Sequence, residues 1–179
     1  MHDARSALPI AGMEQEVMEA VANHDVVVLA GATGCGKTTQ VPQFLLEAGY
    51  GCGDFAERAG MVGVTQPRRV AAVATAARVA EELGGVGRGW VGHQVRHQAR
   101  LSSSTRVKFM TDGILLRELQ GDFLLQRYSC LLVDEAHERS LNTDLLIGTY
   151  CTVCMHWDVM CMYMYMIMYV YDTRYFFGF

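Results

Sequence analysis

Residues 31–38, Gly-Ala-Thr-Gly-Cys-Gly-Lys-Thr, space glycines, a lysine and a threonine as G-x-x-x-x-G-K-[ST]. Glycines at these intervals let the backbone curl until its N–H groups face inward at the start of a helix. Gly31, Thr33, Gly34, Cys35, Gly36 and Thr39 would line that cradle. Lys37 would bring positive charge to the β- and γ-phosphates of a triphosphate, and the Thr38 hydroxyl could hold Mg²⁺. A second constellation, Leu131-Leu132-Val133-Asp134-Glu135-Ala136-His137, runs an apolar strand straight into two acids. At the C-terminal end of a strand in an open α/β sheet they face the ligand crevice. Asp134 would hold the Mg²⁺, with Glu135 close enough to share the metal and placed to orient and deprotonate an attacking water. The plainer alternative makes this pair a helix cap and a first-turn acid. The cradle upstream favours the chemical reading.

Both motifs need strands and helices in alternation to position them, and residues 1–150 supply it. Val26–Ala30 is a short β-branched run ending at Gly31, as a buried parallel strand does. Lys37–Glu47 reads as a helix closed by Gly49, Met61–Thr65 as a strand, and Arg69–Leu83 as an alanine-rich helix stopped by Gly84-Gly85. Met13, Val17, Met18 and Val21 fall at helical spacing, with an end near Asn23-His24. Trp90–Val95, Arg106–Met110 and Cys130–Val133 read as strands, and Asp112–Gln120 and Leu141–Ile147 as helices. The pattern predicts an α/β fold with a mostly parallel sheet and helices on both faces.

The chain has 179 residues, 51% hydrophobic and 19% charged, which excludes a disordered or collagenous polymer. A domain of roughly 150 residues buries about 68–70% of its unfolded surface, so a core can form without disulfides. The net charge of −4 excludes a uniformly basic nucleic-acid module; any such contact must come from a local patch. Six cysteines (Cys35, Cys52, Cys130, Cys151, Cys154, Cys161) follow no secretory leader, so the expectation is reduced thiols in an intracellular protein.

Composition shifts near residue 150. Residues 151–179 hold six of the 11 methionines and five of the eight tyrosines, concentrated in the run 162–171. The uncharged stretch between Asp158 and Asp172 has 13 residues, short of the roughly 20 a spanning helix needs, so no membrane association is expected. A strand with methionine on one face and tyrosine on the other would be adhesive. Cys151-x-x-Cys154-x-His156 has no second ligand pair at zinc-finger spacing. The expectation is a domain over residues 1–150 followed by a low-complexity tail, 151–179, without a function of its own.

With these residues in view the sequence resembles the DEAH-box RNA helicases of superfamily 2. The likeness rests on the cradle with Thr39-Gln40-Val41-Pro42-Gln43-Phe44, on residues 65–72 (Thr-Gln-Pro-Arg-Arg-Val-Ala-Ala), on Thr111-Asp112-Gly113, and on residues 134–140 (Asp-Glu-Ala-His-Glu-Arg-Ser). It runs from about Leu8 to Gly148, the extent of one RecA-like P-loop NTPase domain. The resemblance implies ATP with Mg²⁺ as cofactors and RNA as partner, gripped through its backbone rather than its bases. It implies that Arg78 stacks on the nucleotide base, that Arg68, Arg69, Arg96 and Thr111 touch RNA, and that His137 couples the nucleotide site to the RNA-facing elements. Without the resemblance, Arg78 and the Arg68-Arg69 pair read as solvated surface arginines. Cys35 replaces the serine common in this loop and is expected to point away from the cradle. His93 stands where relatives carry an aromatic residue and receives no role. Residues 120–128 look most like the branch that works in small-subunit ribosome assembly, which implies a nuclear or nucleolar setting and an activator protein.

The Ser-Ala-Thr block and the second RecA-like domain, with its arginine fingers, have no counterpart in these 179 residues. The expectation is therefore nucleotide binding with negligible unwinding. Two other readings stay open: a non-catalytic nucleotide-binding or interaction module, and a P-loop NTPase that does not act on RNA.

Overall fold

The computed structural model describes residues 5, 7–53, 58–156 and 165–170. The side chains of Cys151, Cys154 and His156 lie outside this description, as do residues 161–164 and Tyr171. Five α-helices are described: α1 (Glu14–Asn23), α2 (Lys37–Glu47), α3 (Arg69–Leu83), α4 (Asp112–Gly121) and α5 (Leu141–His156). The strands are β1 (Val26–Ala30), β2 (Met61–Gln66), β3 (Val91–Val95), β4 (Gln98–Arg100), β5 (Val107–Thr111), β6 (Tyr128–Val133) and β7 (Tyr165–Val170). They form one sheet in the order β1-β7-β6-β2-β5-β3-β4. Every pairing is parallel except β3 with β4. This is the mostly parallel α/β architecture of a RecA-like domain.

Period-two alternation along the strands divides the core into two layers. Val107 and Phe109, and Cys130 and Leu132, face Val17, Val41, Phe44 and Val79 from α1–α3. Met110, Leu131 and Val133 face the other way, against Ile114, Leu115, Leu146 and Ile147 from α4 and α5. A strand buried on both faces carries no polar alternation, and β6 is buried at all six positions. Each fully buried Val, Leu, Ile or Phe in these layers contributes about 1.5–3 kcal/mol.

Three features depart from the sequence reading. α5 runs to His156 rather than stopping at Ile147, so it crosses the compositional boundary at residue 150. The segment set apart as a tail supplies β7, which lies between β1 and β6. Ile167 pairs with both Val27 and Leu132 and is fully buried. The lack of charge that marks the segment as adhesive is what an inner parallel strand requires. The hairpin strand β4 is also absent from the sequence reading; its three residues are all exposed, so it has no burial pattern to betray it. Among the described residues Cys35, Cys52 and Cys130 are free thiols, and no helix is long and apolar enough to cross a membrane.

Candidate nucleotide site

Parallel strands put all their C-terminal ends on one rim of the sheet, and there the chemistry collects. The glycine turn follows β1, Arg68 and Arg69 follow β2, Arg96 follows β3, Thr111 ends β5, and Asp134 follows β6. A cavity of about 330 Å³ opens on this rim.

The turn is built by backbone conformation. Gly36, the residue before α2, has φ +101, a left-handed value that glycine adopts without cost. A Cβ there would stand 3.0 Å from both Ile10 Cγ2 and Leu8 Cδ1. Gln40 N donates to Gly36 O at 2.8 Å, which starts α2 under the turn. Lys37 Nζ lies along the inner side of the loop, donating to Gly31 O at 2.5 Å and Ala32 O at 3.1 Å. Cys35 Sγ lies 3.5 Å from Lys37 Nζ, and Cys35 is not among the residues that line the cavity.

Across the cavity, Asp134 is 5% exposed and fully engaged. Thr38 Oγ1 donates to its Oδ2 at 2.6 Å, Gln66 Nε2 donates to the same oxygen, and Glu135 N donates to Oδ1 at 2.8 Å. Burial pushes the Asp134 carboxyl above the usual range; the hydrogen bonds and the Lys37 charge offset only part of that. Glu135 is also held above its ordinary value, first by burial and then by the Asp134 charge. Its backbone sits at φ 53, ψ 34, a left-handed conformation unusual for a residue with a side chain. His137 Nε2 is 3.4 Å from Glu135 Oε2.

The donor set tests whether a divalent cation fits. The Thr38 hydroxyl and the Asp134 carboxylate already meet, with Glu135 adjoining. These are hard oxygen ligands beside a lysine that would face phosphate, the set expected for Mg²⁺ shared with a triphosphate. Thr38 and Asp134 would hold the metal and Lys37 the phosphates. A metal there would neutralise charge building on the transferred phosphoryl group.

The remaining sequence-predicted residues lie on the same rim. Arg78 lines the cavity and bonds Glu82 Oε1 at 2.7 Å. Arg68 Nη2 reaches Glu138 Oε1 at 3.1 Å, and Arg69 Nη2 donates to Arg96 O at 3.0 Å, joining α3 to the β3–β4 turn. Thr111 precedes α4, whose position on the sheet is set by a buried cluster. Lys108, 1% exposed, donates to Glu118 Oε1 at 2.5 Å and to Tyr128 Oη at 3.1 Å. Burial raises the Tyr128 phenol, so it stays protonated and donates to Glu118 Oε2. At the other end of α4, Thr143 Oγ1 donates to Asp112 Oδ2 at 2.9 Å.

Sequence reasoning missed Gln66 and Glu82. Gln66 was legible only as a buried amide ending an apolar strand, and Glu82 as an i,i+4 partner of Arg78.

Comparison with known proteins agrees with this geometry. The DEAD/DEAH box helicase family matches residues 12–145. The chain belongs to that family. Among curated proteins it is 60% identical to the ATP-dependent RNA helicase DEAH13 of Arabidopsis thaliana, over 83% of this chain and 12% of that protein. It is 58% identical to the probable ATP-dependent RNA helicase DHR1 of Saccharomyces cerevisiae, over 81% of this chain and 11% of that protein. It is 53% identical to the probable ATP-dependent RNA helicase DHX37 of Homo sapiens, over 83% and 12%. The chain thus spans about 12% of the length of such relatives. The matched residues 12–145 include the glycine turn, the acidic corner and the arginines of the rim.

Proposed function

We propose that this chain is the nucleotide-binding RecA-like domain of an ATP-dependent RNA helicase of the DEAH type. ATP binds with Mg²⁺ between the glycine turn and the acidic corner, and single-stranded RNA lies along the neighbouring strand ends. One observation carries the reading: Thr38 Oγ1 and Asp134 Oδ2 stand 2.6 Å apart, so turn and corner address the same ligand.

In this reading Lys37 and the loop amides bind phosphate, and Thr38 and Asp134 fix the metal. Glu135 orients and deprotonates the attacking water. Its raised carboxyl suits a group that must accept a proton. His137, beside Glu135, links the hydrolytic end to the residues that follow it. Arg68, Arg69, Arg96 and Thr111 contact RNA phosphates and sugars, which position a strand without reading its bases. The names of the relatives support RNA as the substrate. The likeness of residues 120–128 supports work in small-subunit ribosome assembly, with a nucleolar setting and an activator protein.

For this domain we infer nucleotide binding and RNA contact. In phosphoryl-transfer enzymes generally, arginine fingers supply about 10³–10⁵ in rate, and the resemblance places them in a second RecA-like domain. The test is a titration of the purified chain with a fluorescent ATP analogue and, separately, with labelled single-stranded RNA. The expected result is Mg²⁺-dependent nucleotide binding that Lys37→Ala abolishes and Glu135→Gln leaves intact, together with salt-sensitive RNA binding. Nucleotide binding indifferent to both Mg²⁺ and Lys37→Ala would refute the reading.

A further inference from the structure

The cavity brings two chemistries together: Lys37, Thr38 and Asp134 line it, and so do Leu8, Arg78 and Glu82. With a triphosphate on the glycine turn, the apolar side chain and the planar cation in the same cavity suit a flat aromatic ring.

Arg78 is an arginine with a 61% exposed side chain, but its partner is not exposed: the Glu82 side chain is 8% accessible. Oε1 of Glu82 accepts Arg78 Nε at 2.7 Å. Its Oε2 accepts Gln40 Nε2 at 2.9 Å and Gln43 Nε2 at 2.8 Å. Both glutamines are buried and belong to α2, the helix that starts at Lys37 and Thr38. Gln40 is pinned in turn by Arg5 Nε, which donates to its Oε1 at 2.9 Å. Burial pushes the Glu82 carboxyl up, but the donations from Arg78, Gln40 and Gln43 outweigh it and hold the group below its ordinary value, hence ionised. A solvated i,i+4 pair swings freely and contributes a few tenths of a kcal/mol. Here one member is immobilised by three donors, and two of those come from the phosphate-binding helix.

Resting on the nucleotide reading above, we propose that Glu82 is a positioning residue. It fixes the Arg78 guanidinium as the wall against which the nucleotide base packs, with Gln40 and Gln43 setting that wall's distance from the phosphate cradle. Nucleotide affinity then divides into a phosphate part, independent of Glu82, and a base part that needs it. A role in folding alone makes no such division.

The experiment compares Mg²⁺–ATP with Mg²⁺–tripolyphosphate, which has no base, by calorimetric titration of the chain and of Glu82→Gln. The expected result is a 5–10-fold weaker Kd for ATP and an unchanged Kd for tripolyphosphate. The retained tripolyphosphate affinity also reports that the variant is folded. Arg78→Ala, a change at an exposed side chain, should reproduce the base-selective loss, and the double variant should lose no more than either single one. Equal weakening of both probes, or no weakening of ATP, overturns the proposal while the nucleotide reading stands. Failure of the unaltered chain to bind either probe removes the nucleotide reading itself, and this proposal with it.

Discussion

At the tip of β6, Asp134 is 5% exposed and accepts three hydrogen bonds. After β2, Arg68 holds a side chain 76% exposed and one ion-pair partner, Glu138. The two regions lie on adjacent strands and are built on opposite terms. The acidic corner carries its cost in advance: two carboxyls raised by burial and a left-handed backbone at Glu135. In the proposed reading such groups are poised for a metal-bound triphosphate, which is the sense of electrostatic preorganisation, once Lys37 Nζ leaves Gly31 O and Ala32 O. The basic rim carries no comparable strain. Its arginines bond Glu138 and a backbone carbonyl, partners that an RNA phosphate can replace in solvent. In the proposed reading, the site for one defined ligand is rigid and desolvated, and the track for any strand is wet and exchangeable.

The largest expected effect falls on the rigid side. Gly36→Ala should destabilise the fold by about 1–3 kcal/mol, the usual cost of a side chain forced into a left-handed conformation. Thermal unfolding should show a Tm several degrees lower, with nucleotide binding lost in parallel. Asp134→Asn acts on stability in two opposed ways: it removes a buried charge, and it turns an NH2 toward one of the donors that now meet a carboxylate oxygen. A carboxyl whose folded pKa is raised penalises the folded state above that pKa, and the penalty vanishes as pH falls and the group protonates. Removing the charge should therefore favour the variant more at neutral pH than in acid, read as a relative rise in Tm, while Mg²⁺-dependent nucleotide affinity disappears. Melting curves across pH 4–8 should show the variant's advantage shrinking toward the acid end. An advantage that grows toward acid would mean the carboxylate is favoured by the fold.

On the exchangeable side the effects are smaller. Arg68→Ala should weaken single-stranded RNA binding several-fold, reduce the salt slope by about 0.7, and leave nucleotide Kd unchanged. Fluorescence anisotropy at several salt concentrations measures both quantities. The smallest effect is a gain. Glu138→Gln releases Arg68 from an exposed pair worth about 0.2–1 kcal/mol, so RNA affinity should rise about two-fold. A fall would show that Glu138 supports the RNA track rather than competing with it.

The same contrast explains what could be read from the residues in order. β1, α2 and α3 have the bounds that their β-branched run, glycine turn and alanine-rich spacing predict, because those signals are local. Lys37, Thr38 and Asp134 were legible through motif spacing. Gln66 was not, since its bond to Asp134 joins positions 68 apart. Glu82 was not, because Gln40 reaches it only across 42 residues. The β7 segment was misread for a related reason. A charge-free Tyr-Met-Ile-Met-Tyr-Val stretch looks like a sticky tail until its neighbours, β1 and β6, are seen to bury it. Local pattern shows which residues can form an element; burial by distant strands decides which of them enters the sheet.

The central claim is that the glycine turn and the acidic corner hold one metal-bound triphosphate, and a double-mutant cycle tests it most directly. Nucleotide Kd would be measured with and without Mg²⁺ for the unaltered chain, Thr38→Val, Asp134→Asn and the combination. The account predicts that each single change removes the Mg²⁺-dependent part of the affinity and that the double removes no more, a strongly non-additive pair. Independent, additive losses, or a Mg²⁺ increment that survives in either single variant, would contradict it.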